Sequence, residues 1–281
     1  MIFGENIGSK NKQYALIMII NFYFCGNYKY NPCLMALIHS FEKSGNFLFK
    51  HRGQIPVILF ILAIPVVYFT NFEAFSDTTK LIVTIVAIAV SFAGFIIRAI
   101  SIATTPAGTS GRNTDGQVAE SLNVTGIYST VRHPLYLGNY LMWIGIVIFT
   151  FNIWFVIAVS LAFWLYYERI MFAEERFLER KFGDTYLEWS KKVPAFIPSF
   201  SNYFNNVVPF SFKSILRREY SGVLATVLSF AFIDELRYFF IYGELDFYRV
   251  SIYALGISIV ITLILRTLKH STKVLDEKGR S

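Results

Sequence analysis

The sequence predicts an all-α, polytopic helical bundle that is embedded in a membrane. Three observations support this fold class: the composition, the apolar runs and the distribution of positive charge. Hydrophobic residues make up 54% of the 281 residues and charged residues only 16%, whereas soluble domains carry about 25% charged residues. The net charge of +7 is therefore better explained by membrane topology than by nucleic-acid binding, and we expect no nucleic-acid partner.

Six apolar runs approach the length of about 20 residues that a helix needs to cross a bilayer. The third and fourth runs are separated by little more than Asn152, so we expect them to form an antiparallel helical hairpin. The sequence therefore predicts about six transmembrane helices, at approximately 54–71, 80–103, 134–151, 153–173, 221–241 and 250–266.

Lysine and arginine are concentrated in alternate connections between these runs. The connections 104–133 and 174–219 are basic, as are the regions before the first run and after the last, whereas the other connections are short and more acidic. Cytoplasmic loops of membrane proteins carry an excess of Lys and Arg. We therefore expect both termini and the two long basic connections to be cytoplasmic, in the plasma or inner membrane if the source is bacterial.

The beginning of the chain is harder to interpret. Residues 14–25 are apolar but too few to span a bilayer comfortably. They resemble a signal-peptide core without a cleavage site, or an interfacial helix. Cys25 and Cys33 match no metal pattern, and we expect no metal. The predicted organisation is an N-terminal extension of doubtful role (1–34), N-terminal transmembrane helices (35–105), a functional core (106–200) and a C-terminal extension with two further transmembrane helices (201–281).

The stretch GIYSTVRHPLYLGN, residues 126–139, places charged residues where the third run begins. Pro134 suits the first turn of a helix, so Arg132 and His133 would lie just before its N-terminus, where free N–H groups favour a carboxylate or phosphate. Gly138 shares a face with Pro134 and would let a ligand approach the backbone. Arg132 could equally be a topology anchor that snorkels to the interface.

The end of the fourth run carries a second group of charged residues. Arg169 falls within or at the end of the apolar stretch, where ionisable groups face partners or a cavity. Glu174 and Glu175 follow where we expect the helix to end, and carboxylates at a helix C-terminus oppose the macrodipole. This placement indicates a cationic partner, such as an amine or a sulfonium. A cleft with a positive wall at Arg132 and a negative wall at Glu175 would suit the zwitterion S-adenosylmethionine.

These stretches also resemble a known family. GIYSTVRHPLYLGN and RIMFAEERFLERKFGDTYLEWSKKVPAFIP are similar to the isoprenylcysteine carboxyl methyltransferase and phospholipid methyltransferase superfamily, whose pattern is G-x-Y-x-x-x-R-H-P-x-Y-x-G, a helical hairpin, R-x-x-x-x-E-E-x-x-L, F-G-x-x-Y and V-P-x-x-x-P. The match covers about residues 122–200, and every element of the pattern is present. A chance match to all of them in order is improbable, although one alone would be weak evidence.

The resemblance implies an S-adenosylmethionine-dependent methyltransferase with a cytoplasm-facing cofactor pocket. It implies that the acceptor is lipid-soluble or lipidated, either the carboxylate of a prenylated cysteine-like group or a phospholipid amine, and that it enters from the membrane. Arg132 and Arg169 would be the catalytic residues that orient this acceptor. The cofactor-binding residues would be Tyr128, His133, Pro134, Tyr136, Gly138, Glu174 and Glu175.

Two other readings remain open. Membrane sterol reductases that use NADPH carry a related R-H-P-N-Y-x-G-E stretch, but here Leu135 and Asn139 replace its Asn and Glu. A transporter or scaffold would also carry charges inside the membrane, although the sequence has no evident inverted repeat. In the C-terminal extension, Asp234, Glu235 and Arg237 could be a paired cluster or could recognise the acceptor.

Overall fold

The computed structural model describes residues 32–106, 108 and 117–280. The predictions for residues 1–31, and for the part of the polar loop between 109 and 116, lie outside the described residues. Within the described chain the fold is all-helical, without a β-strand, as predicted. Its eight α-helices are α1 (Pro32–Lys50), α2 (Ile55–Phe69), α3 (Asp77–Ala103), α4 (Pro134–Ile148), α5 (Ile153–Phe182), α6 (Asp184–Lys192), α7 (Phe212–Tyr242) and α8 (Val250–Ser271).

The apolar helices confirm a helical membrane bundle. Among the described residues, α3, α5 and α8 are long and apolar enough to cross a bilayer. The helices α2 and α4 are also apolar but contain only 15 residues each, and α7 is longer but carries several charged residues. The number of six spans therefore stays a prediction.

The helical hairpin of the third and fourth runs is present as α4 and α5. Pro134 occupies the first turn of α4. A turn of four residues follows α4, and the side chain of Asn152 caps α5 by accepting a hydrogen bond from the Phe155 N–H at 3.0 Å. An Asn at this position satisfies a backbone donor that has no partner within the helix. The hairpin therefore brings the start of α4 and the later turns of α5 to the same end of the bundle.

Two predicted helix boundaries are wrong. The helix that contains Glu174 and Glu175 was expected to end near residue 173, but α5 continues to Phe182. The two carboxylates therefore lie two turns before its C-terminus, where the macrodipole has little effect. The helix expected from residue 221 begins at Phe212 instead, because Ser211 caps it by accepting a hydrogen bond from the Ser214 N–H at 3.1 Å.

Small residues let α3 and α4 pack closely along their length. A Cβ atom on Gly94 would lie 2.6 Å from the Gly138 carbonyl oxygen, and one on Gly145 would lie 2.2 Å from the Ser91 hydroxyl. The Ser91 hydroxyl donates a hydrogen bond of 2.7 Å to the Met142 carbonyl. Helices in membranes associate through such small residues and interhelical hydrogen bonds. This packing places the last turns of α3 beside the start of α4.

Candidate functional site

A cavity of about 330 Å³ opens where the start of α4 meets the polar part of α5, the last turns of α3 and the start of α7. This volume is within the range of small-molecule sites. Its walls are formed by residues from five parts of the chain, namely Phe49, Arg52 and Gly53; Arg98 and Ile102; Gln117 to Ala119 and Ser121 to Asn123; Tyr128, Arg132 to Tyr136, Asn139, Glu174, Phe177, Leu178, Tyr186 and Trp189; and Arg218 and Glu219.

The segment that precedes α4 is fixed by a second segment that runs beside it. The N–H groups of Arg132 and His133 donate to the carbonyls of Pro194 and Ala195 at 2.9 and 3.2 Å, and the Ser199 N–H donates to the Thr130 carbonyl at 2.9 Å. The proline-bounded stretch after α6 therefore closes over the start of α4. We call residues 190–199, which include the last turn of α6, the cap.

Arg132 and Glu175 bind each other directly. The Arg132 Nε and Nη2 atoms both lie 2.9 Å from Glu175 Oε1, and Arg132 Nη1 donates to the carbonyls of Ser190 and Val193 at 2.7 Å. The His133 Nε2 atom lies 2.9 Å from the same carboxylate oxygen. We call this group of Arg132, His133 and Glu175 the clasp. It joins α4 to α5 and to the cap, so the expectation of separate positive and negative walls is wrong.

Glu174 takes a different position from its neighbour and lines the cavity. Its Oε2 atom accepts a hydrogen bond of 2.8 Å from the Tyr136 hydroxyl, and it lies 3.7 Å from His133 Nδ1. The rings of His133 and Tyr136 stack with centroids 5.6 Å apart. Tyr128 also lines the cavity, and burial raises its pKa to about 12, so its hydroxyl stays protonated at physiological pH. Of the two neighbouring carboxylates, Glu174 is therefore the one that faces the cavity.

Two buried hydrogen-bond donors at the cavity make no hydrogen bond of ordinary geometry among the described residues, although one of them, the Tyr186 hydroxyl, lies close to the Glu175 carboxylate. They are the Tyr186 hydroxyl and the Trp189 indole N–H, both on α6. Tyr186 is only 3% exposed. Buried polar atoms without a partner are rare in native proteins and destabilise the fold unless something binds them. Both donors face the cavity, where they could bind acceptor atoms of a ligand.

The structure brings six of the nine predicted site residues to the cavity lining: Tyr128, Arg132, His133, Pro134, Tyr136 and Glu174. Glu175 lies behind them in the clasp.

The other two predicted residues have different surroundings. Gly138 packs against α3, where an added Cβ would lie 2.8 Å from the Gly94 carbonyl oxygen, so its small size serves helix packing and not ligand approach. The guanidinium of Arg169 lies outside the cavity, 3.3 Å from the ring centroid of Phe41 on α1. The structure therefore does not bring Arg169 to the predicted acceptor.

Several polar residues of the cavity were not predicted as site residues, among them Arg98, Asn139, Arg218 and Glu219. The Arg98 guanidinium binds both carboxylate oxygens of Glu219 at 2.8 and 2.7 Å, and it donates to the Asn139 side-chain oxygen at 2.5 Å. Arg98 could have been found, because an arginine within an apolar run is a functional candidate by default. The contribution of Arg218 and Glu219 could not, because 121 residues separate Arg98 from Glu219.

Comparison with known proteins agrees with this geometry. A family model described as phospholipid methyltransferase matches residues 79–185, a range that includes α3, the clasp, α4 and α5. This part of the chain is thus similar to that family, as the motifs led us to expect. The expected resemblance is confirmed, and the matched range contains the motif residues that line the cavity up to Glu174. The start of α7 lies beyond it.

Three curated relatives show the same restricted overlap. The chain is 37% identical over 73 residues to a protein-S-isoprenylcysteine O-methyltransferase of Schizosaccharomyces pombe, covering 26% of this chain and 31% of that protein. It is 35% identical over 80 residues to one from Xenopus laevis, 28% of each chain. It is 35% identical over 88 residues to the cobalt-zinc-cadmium resistance protein CzcN of Cupriavidus metallidurans, covering 31% and 40%. No solved structure gives a significant match.

Proposed function

We propose that this chain is an integral membrane methyltransferase that uses S-adenosylmethionine to methylate a lipid-soluble or lipidated acceptor. The proposal rests mainly on one observation, the cavity in which the family's own motif residues, Arg132, His133, Tyr136 and Glu174, meet the two buried donors on α6. Cytoplasmic loops of membrane proteins are rich in Lys and Arg, and the cavity borders the two basic connections of this chain. We therefore propose that the cavity faces the cytoplasm and that both termini lie on the same side.

The cavity lining suits S-adenosylmethionine, which combines an ammonium, a carboxylate, a sulfonium and an adenosine. Glu174 would hold the ammonium group. The Tyr186 hydroxyl and the Trp189 indole N–H would donate to acceptor atoms of the cofactor, and Phe177 and Leu178 would cover its apolar parts. When bound, S-adenosylmethionine supplies a methyl group on a positively charged sulfur.

The residues of the chain contribute by holding and orienting the reactants. The hydrogen bonds within the clasp fix the side chains of His133 and Glu175. The backbone N–H groups of Arg132 and His133 hold the cap. Holding two reactants in a productive geometry can lower a barrier by about 7–11 kcal/mol, so no covalent intermediate with the protein is needed. Arg132 takes part as an anchor of the clasp, and Arg169 has no role in this proposal.

The acceptor is proposed from the same family. Some relatives are named as protein-S-isoprenylcysteine O-methyltransferases, and the matching family model is described as phospholipid methyltransferase. The candidate acceptors are therefore the carboxylate of a prenylated cysteine-like group and a phospholipid amine. Either acceptor has an apolar tail that would enter between the helices from the lipid. The matches cover less than half of the length of those relatives, so the activity of this chain needs its own test.

The test uses the purified full-length protein in lipid nanodiscs that contain a native lipid extract. We expect transfer of tritium from S-[methyl-³H]adenosylmethionine into an organic-soluble product that mass spectrometry identifies, and saturable binding of S-adenosylmethionine. In parallel, NADPH binding is measured by fluorescence. Saturable NADPH binding without binding of S-adenosylmethionine would instead favour the reductase, and binding of neither would favour a transporter or scaffold.

The variant Tyr186→Phe sharpens this test, because it removes only the buried hydroxyl that lies beside Glu175 at the cavity. Without cofactor, we expect its stability to stay within about 1 kcal/mol of the wild-type value, since at most one hydrogen bond is lost. Its affinity for S-adenosylmethionine should fall about fivefold, as expected for the loss of about 1 kcal/mol from one hydrogen bond. Tyr253→Phe, at an exposed position on α8, is the matched control. An unchanged affinity in Tyr186→Phe would contradict the proposed cofactor position.

A further inference from the structure

The connection between α6 and α7 exposes many aromatic side chains. We call residues 200–213 the aromatic segment. Six of its large apolar side chains are each between 55% and 78% exposed, namely Phe200, Tyr203, Phe204, Val207, Phe210 and Phe212. Apolar side chains gathered in this way mark a contact with a protein partner or with a membrane. None of these six side chains lines the cavity, so the surface needs an explanation of its own.

Both ends of this connection lie beside helices that are long and apolar enough to cross a bilayer. Shortly before the aromatic segment, the Phe196 ring contacts the half-exposed Trp164 on α5, with ring centroids 5.6 Å apart. At the other end, the Ser211 N–H donates at 2.9 Å to the carbonyl of Ala103, the last residue of α3. Both α3 and α5 are candidate spans, and tryptophan is enriched at membrane–water interfaces. These contacts place the aromatic segment at the end of the spans, where the headgroups of a bilayer would lie.

The chain around the aromatic segment carries positive charge only. Residues 190–218 contain five Lys and Arg residues and no Asp or Glu. Of these five, the side chains of Lys191, Lys192 and Lys213 are exposed. Lysines beside exposed aromatic rings are typical of surfaces that bind anionic phospholipids. The same charge could attract an acidic protein, but the position beside two spans favours the lipid headgroups, which are already there.

The aromatic segment is tied to the part of the chain that precedes α4. The Gly126 N–H donates to the Phe204 carbonyl, and the Phe204 N–H donates to the Ser129 hydroxyl, both at 2.8 Å. Tyr128, which lies between these two contacts in sequence, lines the cavity. The cap directly precedes the aromatic segment and binds the side chain of Arg132. An interaction that holds the aromatic segment in place therefore also holds the cap and one wall of the cavity.

We propose that the aromatic segment, together with Lys191, Lys192 and Lys213, binds anionic phospholipid headgroups and thereby keeps the cap closed over the cavity. The aromatic rings lie at the level of the headgroups, and each lysine near an anionic surface strengthens binding about fivefold. Because the cap borders the cavity, a bilayer without anionic lipid leaves the cofactor site less ordered. This consequence for S-adenosylmethionine rests on the proposed function, whereas the lipid-binding surface does not.

Spin-labelled lipids measure the headgroup preference without any cofactor. The full-length protein is reconstituted in phosphatidylcholine with a trace of spin-labelled phosphatidylglycerol or spin-labelled phosphatidylcholine. Electron paramagnetic resonance then gives the relative association of the two labelled lipids with the protein. We expect the wild type to prefer phosphatidylglycerol about twofold or more. The triple variant Lys191→Gln/Lys192→Gln/Lys213→Gln should lose more than half of this preference.

A second triple variant tests whether net charge alone explains the preference. Lys43→Gln/Lys50→Gln/Lys273→Gln removes the same number of exposed lysines elsewhere in the chain, and it should retain most of the preference. Equal losses in the two triple variants would assign the effect to net charge and overturn the inference. Absence of a preference in the wild type would also overturn it, and the exposed rings would then be left for a protein partner.

Hydrogen–deuterium exchange in nanodiscs tests the link to the cap. The peptides of interest contain Arg132, His133 and Ser199, whose backbone N–H groups hold the cap. Adding phosphatidylglycerol to phosphatidylcholine should slow their exchange about threefold and tighten S-adenosylmethionine binding by a similar factor, but should do neither in the variant without Lys191, Lys192 and Lys213. Equal exchange in both lipid mixtures would overturn the link. Lipid-dependent exchange in a protein that binds no S-adenosylmethionine would refute the proposed function and leave the lipid-binding surface in place.

Discussion

Two groups of charged residues lie at opposite ends of α4, and they differ in what surrounds them. The clasp of Arg132, His133 and Glu175 precedes the helix. The second group, which we call the distal cluster, contains Asp234, Glu235, Arg237, Arg249 and Ser251, and it meets α4 beyond its last turn, where Arg237 donates to the Phe149 carbonyl. With 15 residues in α4 and a rise of about 1.5 Å per residue, the two groups are about 22 Å apart.

Both groups contain an arginine that binds a carboxylate closely. Arg249 binds both oxygens of Asp234 at 2.8 and 2.7 Å, whereas Arg132 directs two nitrogens to the single oxygen Oε1 of Glu175. In the distal cluster, however, Ser251 also donates to Asp234, and the Arg237 guanidinium lies 4.1 Å from the ring centroid of Phe72. These residues do not line the cavity. Ion pairing inside a membrane bundle therefore does not identify a site by itself; a cavity beside the pair and buried donors that face it do.

The strongest contrast should come from the same substitution at each end. Arg132→Lys keeps the positive charge but loses the fork that spans Glu175 and two backbone carbonyls of the cap. Because a displacement of about 1 Å at a catalytic site can reduce turnover about 100-fold, we expect a loss of this size in kcat of methyl transfer. Tritium incorporation at saturating S-adenosylmethionine measures it. Activity above half of the wild-type value would show that the clasp does not position the site.

A smaller effect is expected when the ligand-facing carboxylate is neutralised. Glu174→Gln removes the negative charge that we assign to the cofactor ammonium and keeps an acceptor for the Tyr136 hydroxyl. Since a hydrogen bond to a charged group contributes about 1.5–3 kcal/mol, the dissociation constant of S-adenosylmethionine should rise at least tenfold, as measured by calorimetry. The matched control is Glu179→Gln on the same helix, where the carboxylate binds Arg176. Equal affinities for both variants would remove Glu174 from the cofactor site.

The sequence predicted the clasp end of the molecule well and the cavity wall on α7 not at all. Arg132, His133 and Glu174 belong to local motifs that a short hairpin brings together, because only four residues separate α4 from α5. The predicted end of α5 was too early, because charged residues after an apolar run mark where the helix leaves the lipid and not where the helix ends. Glu219 reaches Arg98 through contacts between distant helices, and no local pattern records such a pairing.

Gly138 provides a prediction about stability and not about ligand binding. Gly138→Ala would place a Cβ atom 2.5 Å from Cγ of Arg98 and 2.8 Å from the Gly94 carbonyl oxygen, and overpacking of this kind costs about 1–3 kcal/mol. We expect a lower midpoint of thermal unfolding in detergent and, because the long Arg98 side chain can shift, a dissociation constant for S-adenosylmethionine within about twofold of the wild-type value. Gly145→Ala, at the α3 contact further from the cavity, should behave in the same way. A selective loss of cofactor affinity in Gly138→Ala would restore the role that the sequence suggested.

The smallest effect is expected at the distal cluster. Arg249→Lys removes the two-pronged contact with Asp234, yet Arg249 is partly exposed, so the loss of stability should not exceed about 1 kcal/mol. Methyl transfer should stay within twofold of wild type, because no residue of this cluster lines the cavity. The measurement is the rate of tritium incorporation beside that of Arg132→Lys in the same nanodisc preparation. A loss of activity as large as that of Arg132→Lys would mean that the distal cluster takes part in acceptor recognition, the alternative that the sequence left open. If activity is retained, two arginine–carboxylate pairs differ in function because one of them borders the cavity and holds the cap, and the other does neither.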